Sequence, residues 1–291
     1  MRKLLPAAAC SLLLLSACGT DEDTETNTSD ETSNQDQNED QANTDDANAD
    51  SSESDESEAP SAEKVVEEAV AFYDDLNSLY FVVEGETTMD LDEEQENVPE
   101  GRFTTTTRET QWDYVRDGAY YNRLELDVTT EGEENGESFS EEEPTSYQFT
   151  DPDDPAYTIS YDEGDEEAIR YDAGRDDEGY DMSQGAAPYE QLLEDADLTY
   201  VGEEEVNGYD TYHIQAETED GPSDYWFDQE TYYEIKSESE TSADEEQAAG
   251  DATSNMEVVD FEVNPDFDES LFQTPEDIEV VDGELEDTVG N

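Results

Sequence analysis

Three dipeptides, Asp117-Gly118, Asn207-Gly208 and Asp220-Gly221, stand between runs in which apolar and polar residues alternate. Asn-Gly and Asp-Gly supply the positive φ that tight hairpin turns need. Alternation sends successive side chains to opposite faces of a strand. The pattern therefore predicts antiparallel hairpins. Around Asp117-Gly118 the arms are residues 104–115 and 119–130; Trp112 and Tyr114 share a face on the first, and Leu124, Leu126 and Val128 share one on the second. Further strands are predicted at 146–150, 156–161 (Tyr157, Ile159 and Tyr161 alternating), 198–203, 209–217 (Tyr212, Ile214 and Ala216 on one face), 224–227, 232–240 and 256–263. A shorter piece lies near 168–171.

Upstream, the period changes from two to that of a helix. Ser61 can cap a helix whose apolar stripe runs Val65, Ala69, Phe72, Leu76, Leu79, in steps of 4, 3, 4 and 3. A strand with Phe81, Val83, Thr87, Met89 and Leu91 on one parity follows, and residues 189–196 suggest a second, brief helix. Residues 131–144, 162–185 and 242–255 read as acidic loops. One long helix ahead of consecutive antiparallel strands is an α+β pattern.

Charge narrows the function classes. The 291 residues carry 88 acids and 10 bases, a formal charge of −78. Binding to nucleic acid needs basic surface to replace phosphate counterions, and docking on an anionic membrane needs the same. Both are excluded. Two cysteines and the single His213 leave no room for a disulfide framework or a zinc cluster, and no cofactor is expected. The 17 Tyr, 9 Phe and 2 Trp nonetheless require a core.

Residues 19–60 hold 16 of the acids, no base, and no Trp, Tyr, Phe, Leu, Ile or Val, so they read as a disordered, self-repelling tether. Residues 61–291 keep 72 acids and 8 bases. The acidity thus belongs to the domain surface as well, and a salt-rich, halophilic habitat explains it physically, because salt shortens the reach of repulsion from about 10 Å at 0.1 M to about 3 Å at 1 M.

At the start of the chain, Arg2 and Lys3 precede an apolar run over residues 4–15 and then Leu15-Ser16-Ala17-Cys18. The run is too short to span a bilayer. The order resembles the lipobox of bacterial lipoproteins. That resemblance implies removal of 1–17 as a signal peptide and a diacylglyceryl (palmitate-type) anchor on Cys18, with the protein held at the outer face of the bacterial cytoplasmic membrane. Two acyl chains anchor stably where one does not.

The segments Val206-Asn207-Gly208-Tyr209-Asp210-Thr211-Tyr212-His213-Ile214, Tyr225-Trp226-Phe227-Asp228-Gln229-Glu230-Thr231, Ile235-Lys236 and Asn264-Pro265…Leu271-Phe272…Pro275, with Leu76-Asn77-Ser78-Leu79-Tyr80 at the start of the domain, resemble the bacterial lipoprotein-carrier (LolA/LppX-like) superfamily. The resemblance implies a strongly curved antiparallel sheet, an unclosed half-barrel over residues 61–283 with helices on its concave side, and a disordered C-terminal tail is expected at 284–291. It also implies a hydrophobic cavity for acyl chains or other lipids, no metal and no enzymatic activity. Its expected lining is Phe72, Leu76, Val83, Trp112, Tyr114, Leu124, Tyr157, Ile159, Tyr212 and Ile214. A membrane anchor and long acidic loops depart from a soluble carrier.

Competing chemistry is thin. Carboxylate pairs, as in 162–167 and 176–181, are expected by chance among 88 acids. No EF-hand loop, G-x-S-x-G elbow, P-loop or dinucleotide fingerprint occurs. His213 alternates with Tyr212 and Ile214 and is expected to face solvent. Tyrosine-rich runs such as Ala119-Tyr120-Tyr121-Asn122 are what half-buried strands favour. The expected function is therefore an envelope lipoprotein that binds or transfers a hydrophobic ligand. The alternative is a sensor or regulatory lipoprotein that contacts an envelope protein through the same fold.

Overall fold

A computed structural model describes residues 59–74, 76–91, 101–134, 137–174, 182–218, 221–241 and 250–288. Cys18, the signal segment and the tether lie outside the described residues, as does the Asp220 half of one turn pair.

Helix α1 (Ala62–Asp74) starts where expected, with the Ser61 hydroxyl accepting from the Lys64 amide. It stops sooner. Leu76 lies beyond its end, and Leu79 is already in β1 (Ser78–Leu91), although both are buried. The helical spacing ran on because the link and the first strand point apolar residues into the same core. The hairpin of β2 (Gly101–Arg116) and β3 (Ala119–Glu134) turns at Asp117 and Gly118, with φ of 54° and 79°. The 131–144 region is no loop: β3 runs through it to Glu134, and β4 (Glu137–Glu142) folds back on β3.

Strands β5 (Ser146–Thr150), β6 (Tyr157–Asp162) and β7 (Glu167–Asp172) lead to a 3₁₀ turn (Met182–Ala186) and helix α2 (Ala187–Asp195). There follow β8 (Asp197–Val206), β9 (Tyr209–Thr218), β10 (Gly221–Asp228), β11 (Glu234–Thr241) and β12 (Gly250–Val263). The start of β12 occupies part of the expected 242–255 loop. A final strand, β13 (Glu279–Asp282), pairs with β7 in the one parallel contact of the described sheet. The expected tail carries a 3₁₀ turn at Leu285–Asp287.

Among the described residues, thirteen strands form one sheet in the order β13-β7-β6-β5-β3-β2-β1-β12-β11-β10-β9-β8, with β4 beside β3. It is a large, curved, unclosed antiparallel sheet with few helices, the expected α+β half-barrel class.

Interstrand register separates its two faces. Both α-helices lie against one of them. Val65, Val66 and Ala69 of α1 and Tyr189 and Leu192 of α2 pack on Ile214, Ala216 and Phe227; beside this cluster, Leu79, Phe81, Val258, Tyr233 and Ile235 form a second. Full burial of an aliphatic side chain stabilises by about 1.5–3 kcal/mol, so this helical cover is a principal source of stability. On the opposite face, Tyr114, Phe149, Ile159 and Tyr161 are covered by the C-terminal segment through Phe267 and Phe272.

The motif residues act as clamps. Asp228 accepts from the Glu230 and Thr231 amides (3.2 and 2.7 Å) and the Thr231 hydroxyl (2.7 Å), holding a turn in which Tyr232 adopts φ of 62°. The Asn264 side-chain oxygen accepts from the Asn77 and Ser78 amides (2.9 and 3.3 Å), tying the end of β12 to the start of β1.

Candidate functional site: the uncovered floor of the helix-bearing face

The ten expected lining residues do not surround one cavity. Phe72, Leu76 and Val83 belong to the cluster under α1, and Tyr212 and Ile214 to the one under α1 and α2. Ile214 is fully buried there, a packing residue. Leu124 sits opposite Gln111, which sits opposite Phe81, so it shares the helix-bearing face. Trp112, Tyr114, Tyr157 and Ile159 are on the other face, Trp112 against Tyr80 and Tyr114 against Phe267.

The helices cover only part of their face. Two adjacent rows cross the sheet where that cover ends. The first runs Leu126, Glu109, Val83, Val258; the second runs Val128, Thr107, Gly85, Met256. Leu124, Leu126, Val128 and Met256 are half-buried yet belong to none of the three core clusters. Leu124, Leu126 and Val128 make an apolar strip along β3, and Met256 stands at the far end of the second row, across Thr107 and Gly85. Gly85 keeps its floor low, since a Cβ there would lie 2.7 Å from the Thr107 hydroxyl.

The polar groups at the inner end of the strip are acids and their donors. Asp113 is buried and accepts from Asn122 (2.8 Å), Gln111 (2.7 Å) and the Tyr120 hydroxyl. Burial raises its pKa, and these three bonds pull it back down. Glu109 has no such donors among the described residues. Burial pushes its carboxyl up to about 7, and the charge of Asp113 adds to the shift. Deeper under the helices, Glu234 accepts from the Tyr189 hydroxyl at 2.9 Å, and burial raises its pKa too. Burial likewise raises the pKa of the Tyr73, Tyr189 and Tyr233 phenols.

The bases of the central strands point away from this site. Arg108 pairs with Glu84, Arg123 with Glu125 (2.6 Å), and Lys236 with Glu238 and Glu257 (2.7 and 3.1 Å), all on the opposite face. His213 also lies on that face, as alternation predicted, but it does not stand in solvent. Its ring stacks on Trp226 at 4.3 Å and its Nε2 is 2.7 Å from Asp224. The sequence signal was Trp226 itself, the cross-strand partner of His213.

Sequence reasoning also missed a cleft of about 300 Å³ on the opposite face, lined by Arg116, Tyr121, Pro152, Phe267, Phe272 and Gln273. Arg116 lies over the Phe267 ring at 4.9 Å and 3.7 Å from Glu269. Among the described residues no group of three His, Cys, Asp or Glu is placed to hold a metal ion, and no helix is long and apolar enough to cross a membrane.

No protein-family model and no curated protein matches the sequence. Solved structures do resemble the fold. A chain of the Pseudomonas aeruginosa MucA/MucB complex aligns with 76% of this chain and 63% of its own length, at 14% identity and a TM-score of 0.37. LprF from Mycobacterium bovis aligns over 71% of this chain and 94% of its own, at 10% identity and a TM-score of 0.37. A LolA superfamily protein from Nitrosomonas europaea aligns over 74% and 99%, at 9% identity and a TM-score of 0.23. This chain thus spans a little under two thirds of the first. Likenesses this distant lend the chain no ligand and no partner.

Proposed function

We propose that the protein is a cell-envelope lipoprotein, held through Cys18 at the outer face of the bacterial cytoplasmic membrane, that binds or transfers a hydrophobic molecule and is not an enzyme. The observation that carries the ligand reading is the strip of Leu124, Leu126 and Val128, with Met256 at the far end of its row, all half-buried and outside every core cluster. Completing the burial of four such side chains is worth about half of 1.5–3 kcal/mol each, about 3–6 kcal/mol in all before the cost of association. A short apolar molecule would be held weakly, and a long alkyl chain lying along both rows would be held better.

The test uses the full chain with Cys18→Ala, so that no acyl anchor competes, and Nile red as a neutral apolar probe. Saturable binding is expected, and Leu126→Glu should abolish it while circular dichroism stays unchanged. Absence of binding at every salt concentration in a folded protein overturns the reading.

The Arg116 cleft favours a second reading, an envelope sensor or regulatory lipoprotein that contacts a protein. Aromatic residues and Arg are what protein interfaces are enriched in. A partner recovered by cross-linking, and lost with Phe267→Ala but not with Leu126→Glu, would put this reading first.

A further inference from the structure

The first of the two rows has an acid within it. Glu109 stands between Leu126 on β3 and Val83 on β1, with Gln111 and Thr107 next to it on the same face of β2. Every immediate neighbour on this face is apolar or neutral. The bases of the neighbouring strands could have reached it from a position of the other parity. Instead Arg102, Arg108 and Arg116 of β2, Arg123 of β3 and Lys236 of β11 all take the opposite face. The one described base on the helices, Lys64, is exposed and lies against Glu67 and Glu68.

A half-buried carboxylate with no internal counter-charge is costly, and its neighbour Asp113 makes it more so. Asp113 is provided with three donors, and Glu109 with none among the described residues. A surface position would have kept the acid at no cost, as dozens of others in this chain do. The missing donor is therefore best supplied from outside, by whatever lies on the strip.

We infer that the ligand is a single-chain amphiphile with a protonated primary amine at its polar end, its alkyl chain on Leu124, Leu126, Val128 and Met256 and its ammonium donating to the Glu109 carboxylate. This rests on the apolar-ligand reading above and adds the head group to it. An anionic head would meet Glu109 and Asp113 together and be rejected, so the site discriminates against fatty acids. A charge-assisted hydrogen bond in a partly desolvated site is roughly twice as strong as a neutral one and is screened little by salt.

The experiment compares dodecanol, dodecylamine and dodecanoate, below their aggregation limits, as displacers of Nile red from the full Cys18→Ala chain in 1 M NaCl. The expected result is that dodecylamine binds about tenfold or more tightly than dodecanol, with dodecanoate weakest. Glu109→Gln should collapse the preference for dodecylamine over dodecanol to within about twofold. Glu86→Gln, which removes the same charge from an exposed site on the other face, should leave the preference intact. If dodecanol binds but the amine gains nothing over it, the head-group assignment is wrong and the apolar site stands. If Glu86→Gln and Glu109→Gln erode the preference equally, the general field of the protein is responsible and the assignment is again overturned. If none of the three displaces the probe, both readings fall.

Discussion

Replacing Glu109 by Gln should stabilise the protein at neutral and alkaline pH and leave it unchanged in acid. Burial, with Asp113 second, lifts the Glu109 carboxyl from an ordinary 4.5 to about 7. Between those values the folded protein binds more protons than the unfolded one, so stability falls as pH rises through the window. Well below pH 4.5 the acid is neutral in both states and costs nothing on this account. By pH 8 it is ionised in both, and the fold carries a penalty of up to about 3 kcal/mol; water reaching the half-buried side chain lowers the working figure to about 2 kcal/mol. The amide has the same shape and cannot ionise. The difference in unfolding free energy, variant minus wild type, should therefore be near zero at pH 4.5 and about 2–3 kcal/mol at pH 8, or about 4–12 °C in melting temperature for a domain of this size. The acidic surface also loses stability as pH rises, but equally in both proteins, so it cancels. Urea unfolding of both at 1 M NaCl, from pH 4.5 to 8, reads the difference. A gap that does not change with pH, or a variant less stable at pH 8, would refute the burial of an unpartnered acid at this position.

Asp228→Ala removes three hydrogen bonds made by a buried carboxylate and should cost about 2–4 kcal/mol by chemical denaturation. Phe272→Ala opens the core under the C-terminal segment, where the ring is 1% exposed, and should cost about 3–5 kcal/mol, read as a lowered melting temperature. Raising sodium chloride from tens of millimolar to molar should raise the melting temperature, because 72 acids face 8 bases in residues 61–291; a melting temperature independent of salt would count against the repulsion account. Cys18→Ala should release the protein from membranes on fractionation, and a mature-length product that still sediments with them would remove the lipid anchor.

The hairpins were legible because their turn chemistry is local: Asp117 and Asn207 take φ of 54° and 51°, each followed by a glycine at positive φ. The end of α1 was not, since Leu76 and Leu79 continue its spacing from a link and a strand that face the same core. Strand β4 was hidden by its charge; of its six residues only Phe139, opposite Gly132 and against Phe103, is apolar. The site was half legible. Parity within a strand shows which residues share a face, but the face the helices take depends on register between strands, where a shift of one residue reverses every side chain. That is why Trp112 and Tyr114 could be grouped with Leu124 in the sequence and yet stand on opposite sides of the hairpin. Glu109 was invisible among 88 acids until its neighbours were known.

Bases are so scarce in this domain that their positions are informative. Glu84 and Glu257 are direct cross-strand partners, a like-charge pair that destabilises a sheet by itself. Arg108 flanks Glu84 on one side and Lys236 flanks Glu257 on the other, giving a row of base, acid, acid, base across four strands. Arg123 and Arg170 likewise meet Glu125 and Asp151 on the same face, at 2.6 Å each. The face that carries repulsive acid pairs thus receives the cations of the central strands. The helix-bearing face answers its acids differently, with phenol and amide donors for Asp113 and Glu234, and those donors stop one row short of Glu109. A neutral donor at that row would have been enough to satisfy the carboxyl permanently. No such donor stands there among the described residues, so the proposed ammonium would meet an acid that the packing of the domain leaves unpaired.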